Sequence, residues 1–356
     1  MSVIDLVRED LRAFAGYASA RKEASGGRIL LNANESPWPQ AGDTLDLHRY
    51  PAPQPAELVE RLAALYGVPP AMLLVGRGSD EAIDLLTRAL CRAGEHAVLI
   101  SPPTFGMYEV CARVQGAAVQ KVPLQAAQGF ALDVEAVLAA VGPATRIVHV
   151  CSPNNPTGAA VPPERLRQLA LGLAGRALML VDEAYGEFAD APAGIDLARA
   201  FDHVAVLRTL SKAHALAGAR IGCLIAAPEL IGVLRSIMAP YPLPTPSVRA
   251  ALDALRPEAL ALTRSRIGLI REERRRMAEA LAHMPGVLEV LPSDANFLTV
   301  RLADAPAIHA AALAAGIVLR VPAQGSGLDG CLRISIGTPT ENDAVLELLR
   351  GRRQAA

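Results

Sequence analysis

Short apolar runs alternate with amphipathic stretches from about Leu58 to about Ala227. The stretches, such as DEAIDLLTRALCRA from Asp80, have the spacing of helices with one buried face. Continuous apolar strands separated by such helices indicate a mostly parallel sheet that is covered on both faces. The predicted strands are MLLV from Met72, HAVLI from His96, AAVQKV from Ala117, RIVHV from Arg146, ALMLV from Ala177, HVAVL from His203 and IGCLIA from Ile221.

The pattern changes after about Pro246, where it becomes long and helical as far as Met284. A charged run in this part, REERRRMAEAL, is typical of a helix face in contact with solvent. After Gly286 we expect a small α+β unit made of VLEVLPS, NFLTVRL, a helix through Ala311, GIVLRV, CLRISIG and a final helix. The sequence therefore predicts a large α/β sheet unit followed by a smaller α+β unit.

Composition and charge exclude several classes of partner. The chain has 356 residues, and its 35 basic and 36 acidic residues give a formal net charge of −1. Such a balance provides no field to attract nucleic acid or an anionic membrane. The five cysteines are scattered without CxxC spacing, no signal peptide is recognised and no apolar run is long enough to span a bilayer. We expect a cytoplasmic protein that binds small molecules and has no bound metal.

Predicted strands lead into chemically marked turns at five places. These turns are GRGSDEAID from Gly76, SPPTFGMY from Ser101, CSPNNPTG from Cys151, DEAY from Asp182 and RTLSKAHALAGARIG from Arg208. Each has a simpler explanation: Ser79 as a helix N-cap, Phe105 as a core residue, NPTG as an ordinary turn, Asp182 as a helix cap, or Lys212 as an ordinary surface lysine. Because ligands gather at the carboxyl ends of parallel strands, the joint occurrence favours one site around Lys212.

The combination of a lysine and a carboxylate at such an edge suits one kind of cofactor. A neutral lysine amine can bond to an aldehyde, and burial or nearby positive charge lowers its pKa from the usual value of about 10.4. Pyridoxal phosphate supplies an aldehyde and accepts electrons. Its ring nitrogen needs a buried carboxylate, for which Asp182 qualifies, and its phenolate oxygen needs donors such as Asn155 and Tyr185.

The phosphate of this cofactor needs a helix N-terminus, hydroxyl groups and a guanidinium. Groups of these kinds are predicted at Ser79, Asp80, Thr209, Ser211 and Arg220. Phe105 can cover one face of the cofactor ring. Every part of the cofactor therefore has a candidate residue.

Further sequence blocks extend this pattern into a family resemblance. Together with LLNANESPW from Leu30, RYP from Arg49, APYPLPTP from Ala239 and CLRISIGT from Cys331, the turns above resemble the fold-type I pyridoxal-phosphate aminotransferases of class I/II. Within that superfamily they are most similar to the histidinol-phosphate aminotransferases. The resemblance implies a large cofactor-binding domain (46–245) with a mostly parallel seven-stranded sheet between helices. It also implies a small domain (246–356) and an N-terminal arm (1–45) that forms part of the small domain.

The resemblance also assigns roles by matching position. It implies that Lys212 is the Schiff-base lysine and the base that moves the substrate's Cα proton. Asp182 pairs with the pyridinium, Tyr185 and Asn155 hold the phenolate oxygen, and the phosphate is bound through Thr209, Ser211 and Arg220. Tyr50 resembles the tyrosine that reaches the cofactor phosphate of a neighbouring subunit, so a homodimer with shared active sites is implied.

For the substrate, the resemblance implies that Arg333 and Arg320 bind the phosphate of histidinol phosphate, with Tyr17 and Asn34 from the arm. Two residues depart from the family: Phe105 stands where a tyrosine is frequent, and His214 stands where an aromatic residue is usual. We expect His214 to have a packing role.

The expected reaction is amino-group transfer between L-histidinol phosphate and 2-oxoglutarate in histidine biosynthesis. One alternative is an aromatic amino-acid aminotransferase, in which Arg333 binds a carboxylate and Arg320 is dispensable. A second is a threonine-phosphate decarboxylase, which shares the fold and a phosphate pocket. A non-catalytic regulator that binds pyridoxal phosphate is disfavoured, because the chain has no basic surplus for DNA.

Overall fold

A seven-stranded sheet forms the centre of the computed structural model, which describes residues 2–17, 29–190 and 192–351. Its strands are β1 (Leu73–Gly76), β2 (Ala97–Ile100), β3 (Ala118–Lys121), β4 (Thr145–Cys151), β5 (Leu178–Asp182), β6 (Val204–Thr209) and β7 (Gly222–Ile225). They lie in the order β1-β7-β6-β5-β4-β2-β3. Strand β7 is antiparallel to β1 and β6, and the other neighbouring pairs are parallel. The predicted mostly parallel sheet is confirmed.

Helices cover both faces of this sheet. In the described residues up to the end of the sheet unit they are α1 (Glu9–Arg12), α2 (Ala56–Tyr66), α3 (Ser79–Leu90), α4 (Met107–Gln115), α5 (Val134–Ala140), α6 (Pro163–Leu173), α7 (Gly194–Ala200) and α8 (Pro228–Ile237). Helices α2, α5, α6 and α7 pack on one face with Val148 and Val150 of β4. Helices α3, α4 and α8 pack on the other face with Ile147 and Cys151. Since both faces are buried over the inner strands, these strands have the continuous apolar sequences that predicted them, whereas the edge strand β3 is partly exposed.

The C-terminal part is a smaller unit with its own core. Helix α9 (Thr245–Ala254) precedes this unit in the chain and packs with the core of the large sheet through Ala251. The smaller unit contains α10 (Pro257–Ala282), β8 (Val287–Val290), β9 (Phe297–Leu302), α11 (Ala305–Ala314), β10 (Cys331–Ser335) and α12 (Pro339–Gly351). Its three strands form an antiparallel sheet in the order β10-β9-β8. Met277 of α10 and Leu346 of α12 pack against this sheet. The predicted α+β unit is therefore present.

The segment GIVLRV does not form the extended element that the sequence suggested. Only Arg320 pairs with β10, through a backbone hydrogen bond to Arg333 of 3.1 Å and one in return of 2.8 Å. Pro322 follows closely and has no N–H group to donate, which ends the pairing. The single bridge nevertheless brings two arginines side by side.

Contacts at the loop after β4 join the two units next to the site predicted around Lys212. The Asp294 amide donates to the Gly158 carbonyl at 2.8 Å, and Asp294 Oδ2 accepts from the Ala160 amide at 2.9 Å. Gly158 has φ +102°, and a Cβ there would lie 2.7 Å from the Ser293 side chain. Only glycine allows this approach, so the NPTG turn serves as a docking point for the small unit.

The five cysteines are all buried and unpaired. Three of them, Cys111, Cys151 and Cys223, lie in strands or helices that belong to the hydrophobic layers, where a thiol packs as a small apolar group. Among the described residues, no helix combines the length and apolar character needed to cross a lipid bilayer.

Candidate active site

The marked turns meet around one cavity of about 270 Å³ at the edge of the large sheet. Besides Gly78, Cys151, Ala184 and Ala217, its lining contains predicted site residues from both units. These are Ser79, Asp80, Phe105, Asn155, Asp182, Tyr185, Thr209, Ser211, Lys212, Arg220 and Arg333. The structure thus brings eleven separately predicted positions together.

Lys212 lies in the turn between β6 and β7, at the mouth of the cavity. Its Nζ atom is 5.6 Å from the centroid of the Tyr185 ring. Partial burial lowers the pKa of Lys212, and the positive charges of Arg333 and Arg220 lower it further. This environment favours the neutral amine, which is the form that attacks an aldehyde or accepts a proton.

Asp182 ends β5 and is only 3% exposed. Its Oδ1 accepts a hydrogen bond from the Ala184 amide at 3.0 Å, and its Oδ2 accepts one from the Tyr108 hydroxyl at 2.7 Å. Burial raises the pKa of Asp182 to about 6, and these two hydrogen bonds oppose the rise. The carboxyl is not a helix cap, so that simpler explanation is wrong. A cationic group in the cavity would stabilise its charged form.

Helix α3 directs its N-terminus at the cavity. The predicted N-cap, Ser79, is instead the first helical residue, and Gly78 holds the N-cap position with φ +85°. Because glycine has no side chain, the cap residue makes no side-chain hydrogen bond to the first amides of the helix. Gly222 of β7 packs against this turn, and a Cβ there would lie 2.4 Å from the Ser79 nitrogen. The close approach leaves an anion-binding helix terminus beside the lysine turn.

Arg220 completes this cradle from the other side. Its backbone adopts the left-handed conformation with φ +56°, which is uncommon for a residue with a side chain. Its guanidinium bonds Asp80 Oδ2 at 3.2 Å, and a Cβ on Gly78 would lie 2.6 Å from its Nη2 atom. A pair of hydroxyls lies at the start of the lysine turn, where Thr209 Oγ1 donates to Ser211 Oγ at 3.0 Å. Helix amides, a guanidinium and hydroxyls together suit a phosphate group.

Asn155, Tyr185 and Arg333 form the side of the cavity that faces the small unit. Arg333 Nη1 donates to Asn155 Oδ1, and the guanidinium lies 5.2 Å from the centroid of the Phe297 ring. The Tyr185 ring packs edge-on against the same phenylalanine at 5.3 Å. Burial raises the pKa of Tyr185, so its hydroxyl remains a hydrogen-bond donor at neutral pH.

A second cavity of about 670 Å³ adjoins the first, and both are lined by Phe105, Asn155 and Arg333. Arg320 lines this second cavity. Within the described residues, neither Arg320 nor Arg333 has a carboxylate partner among the ion pairs. Glu109, an acid in the lining of this cavity, pairs with Lys121 at 2.9 Å and with Arg113. Two arginines without a carboxylate partner suit an anion of high charge.

Three predicted residues lie away from both cavities. Tyr50 is half exposed and stacks on Tyr241 at 4.3 Å between ring centroids. Tyr17 and Asn34 are exposed, and Asn34 has φ +55°. In a single chain these three side chains do not join the site.

Other polar residues near the site were missed by sequence reasoning. Tyr108, in the same block as Phe105, is fully buried and bonds Asp182. Arg208 forms two buried ion pairs of 2.8 Å, with Glu183 and Glu187. His214 lies beside this cluster and is buried, which agrees with the expected packing role. Nothing in the sequence marks Tyr108 as a partner of Asp182 or the cluster as one unit.

Comparison with known proteins gives a consistent set of matches. The model of the family "Aminotransferase class I and II" matches residues 26–349. Histidinol-phosphate aminotransferase from Xanthomonas euvesicatoria is 52% identical over 357 residues, covering 99% of this chain and 98% of the relative. The enzyme of that name from Stenotrophomonas maltophilia is 53% identical with the same coverage.

A solved structure of an enzyme with the same name also has a similar fold. Histidinol-phosphate aminotransferase from Sinorhizobium meliloti, in complex with pyridoxal-5'-phosphate, aligns with a TM-score of 0.77 and 29% identity. The alignment covers 86% of this chain and 84% of that one.

Proposed function

The chain belongs to the class I and II aminotransferases, and from this premise we propose that it transfers the amino group of L-histidinol phosphate to 2-oxoglutarate. The products are 3-(imidazol-4-yl)-2-oxopropyl phosphate and L-glutamate, in the biosynthesis of L-histidine. Relatives with this activity in their names are 52% and 53% identical over almost the whole chain. The cofactor is pyridoxal 5'-phosphate, on which the family depends.

The residues of the cavity fit this cofactor at its reactive end. When bound, pyridoxal phosphate withdraws electrons from the substrate carbon that carries the amino group. Lys212 would hold the aldehyde end of the cofactor through its neutral amine, and the same amine would move the proton from the Cα of the substrate. Asp182 would pair with the ring nitrogen and keep it protonated. Asn155 and Tyr185 donate hydrogen bonds to the ring oxygen.

The remaining residues hold the rest of the cofactor. The N-terminus of α3, which includes Ser79 and Asp80, binds its phosphate together with Thr209, Ser211 and Arg220. Phe105 packs against one face of the ring. The absence of side chains at Gly78 and Gly222 supports this assignment, because a Cβ at Gly78 would crowd the Arg220 guanidinium and one at Gly222 would crowd the Ser79 amide.

Two arginines without a carboxylate partner are the reason for proposing a substrate that has a phosphate group. Arg333 and Arg320 share a backbone bridge and line the second cavity without a carboxylate partner in the described part of the chain. A phosphate carries up to two negative charges, whereas the carboxylate of an aromatic amino acid carries one. We assign both guanidiniums to the substrate phosphate, with Tyr17 and Asn34 closing the site from the N-terminal arm.

The exposed N-terminal segment supports a homodimer in which subunits share their sites. Between residues 29 and 50, Ile29, Leu31 and Trp38 are 77–86% exposed, and Tyr50 is half exposed. Apolar side chains so concentrated mark a surface that another protein covers. In this arrangement Tyr50 reaches the cofactor phosphate of the partner copy. The domains are an arm (1–45), a large domain (46–245) and a small domain (246–356), in a cytoplasmic enzyme.

A substrate panel with one arginine variant tests the assignment. Rates with histidinol phosphate, histidinol and phenylalanine are compared for the wild type and Arg320→Gln. Loss of one charge-assisted hydrogen bond lowers kcat/KM for histidinol phosphate about 10- to 150-fold. The rate with histidinol, which has no phosphate, changes little. Arg301→Gln is the matched control, because Arg301 lies on the same small sheet and pairs with Glu289 at 3.2 Å.

Two results contradict the proposal. A wild type that prefers phenylalanine to histidinol phosphate, with Arg320→Gln as active as the wild type, identifies an aromatic aminotransferase. Release of carbon dioxide from threonine phosphate, without amino transfer to 2-oxoglutarate, identifies the decarboxylase.

A further inference from the structure

Tyr108 occupies a position at which it contacts two parts of the proposed cofactor site. It lies in α4 and its side chain is fully buried. Its hydroxyl donates to Asp182 Oδ2 at 2.7 Å, and its ring meets the Phe105 ring edge-on at 5.6 Å. One side chain therefore touches both the carboxylate and the aromatic ring that are assigned to the cofactor.

The surroundings hold the Tyr108 ring in one place. On the side of β4, the His149 ring stacks on it at 4.5 Å with an angle of 16° between the planes. His149 is buried and its pKa is lowered by that burial to about 3, so it adds no positive charge beside Asp182. The pKa of Tyr108 is raised by burial, which keeps the hydroxyl protonated and able to donate.

We propose that Tyr108 is a positioning residue for the ring nitrogen of the cofactor. Its hydroxyl and the Ala184 amide each donate to one oxygen of Asp182, which fixes the plane of the carboxylate. The remaining lone pairs of both oxygens are then available to the cavity. The Tyr108 hydroxyl also favours the ionised carboxylate, and only that form pairs with a protonated ring nitrogen. This inference rests on the proposed cofactor site.

Removal of the hydroxyl makes Asp182 a stronger base. The other charged groups that interact with Asp182 are the acidic Asp80 and Glu183 and the amine of Lys212, which is assigned to the aldehyde of the cofactor. The Cys151 thiol on β4 donates to the Pro153 carbonyl at 3.4 Å, so it does not replace Tyr108 as a donor. In Tyr108→Phe the proton shared between the ring nitrogen and Asp182 therefore moves toward Asp182. The expected change in the proton affinity of Asp182 is about 10- to 100-fold, the effect of one hydrogen bond to a charged group.

Nitrogen NMR of the bound cofactor measures this shift without substrate. The holoenzyme is prepared with pyridoxal phosphate labelled with ¹⁵N in the ring, for the wild type and Tyr108→Phe, and spectra are recorded from pH 6 to 9. The wild-type resonance has the position of a protonated ring, and the Tyr108→Phe resonance moves toward that of a neutral pyridine. In parallel, kcat falls about 10- to 100-fold and KM for 2-oxoglutarate stays within about twofold.

Tyr66→Phe is the matched control for the loss of a buried hydroxyl. Tyr66 is 8% exposed and packs on the other face of the large sheet, next to Arg208. We expect its ¹⁵N resonance and kcat to equal those of the wild type. A Tyr108→Phe resonance identical to the wild type, with only a lower melting temperature, overturns the inference but leaves the proposed function intact. A wild type that binds no cofactor overturns both.

Discussion

Substitution of Gly222 by alanine tests how closely the sheet must approach the proposed phosphate cradle. A Cβ at this position lies 2.4 Å from the Ser79 nitrogen and 2.5 Å from the Gly78 carbonyl carbon. Both contacts are with backbone atoms, so no flexible side chain can move aside. Ordinary contact needs about 3.5 Å, and the first turn of α3 must therefore shift by roughly 1 Å.

Such a shift affects stability and cofactor affinity together. Overpacking of a tight site costs about 1–3 kcal/mol in the free energy of unfolding. A displacement of about 1 Å in groups that position a ligand can lower the rate about 100-fold. For Gly222→Ala we expect the dissociation constant of pyridoxal phosphate to rise at least tenfold, since the helix amides no longer meet the phosphate.

The assay is a titration of the apoprotein with pyridoxal phosphate, followed by the absorbance of the bound cofactor, together with thermal unfolding. Gly232→Ala is the matched control: Gly232 lies within α8 and has no atom within 4 Å of an added Cβ. Alanine there stabilises the helix by about 0.5–1 kcal/mol and leaves cofactor affinity unchanged. Equal cofactor affinity in Gly222→Ala and the wild type would refute the assignment of this helix terminus to the phosphate.

Two further predictions concern pH and assembly. The unfolded-state pKa of His149 is about 6.5, and burial lowers it to about 3 in the folded state; the unfolded chain therefore binds more protons, and stability falls as pH drops from about 6.5 toward 3. We expect the free energy of unfolding in urea to fall less steeply with decreasing pH in His149→Phe than in the wild type, by up to about 1.4 kcal/mol per pH unit between pH 7 and 4. Equal slopes in the two proteins would contradict this. When the inactive Lys212→Ala protein is mixed with the weakened Tyr50→Ala protein and subunits exchange, about half of the dimers contain one chain of each. Each mixed dimer has one intact site of two, so the mixture should recover up to about a quarter of wild-type activity. No recovery after subunit exchange would show that each chain completes its own site.

The layout of the large sheet followed from sequence pattern because its inner strands are buried on both faces and lie between amphipathic helices. The residues of the cavity also followed, since parallel strand ends must meet at one edge and each bears a marked turn. The two failures have local causes. Pairing of GIVLRV is limited to Arg320 by Pro322, and the cap of α3 moved to Gly78 because β7 leaves no room for a side chain.

Tyr108 and the Arg208 cluster could not be predicted in the same way. The sequence separation between Tyr108 and Asp182 is 74 residues, and their hydrogen bond depends on how α4 packs on the sheet. In the sequence Arg208 belongs to the block that contains Lys212. Its side chain nevertheless lies away from the cavity and pairs with Glu183 and Glu187. Alternation along a strand predicts that neighbours face opposite ways, but not which distant acids they meet.

The central claim is that Lys212 and Asp182 hold the two ends of pyridoxal phosphate, and covalent mapping tests it most directly. The chain contains three lysines, Lys22, Lys121 and Lys212, so the attachment point can be identified without ambiguity. The holoenzyme is reduced with borohydride, digested and analysed by mass spectrometry. We predict one reduced pyridoxyl phosphate group on the peptide that contains Lys212, and none there in Lys212→Ala. Stoichiometric attachment at Lys121 or Lys22, or at no lysine, would contradict the account.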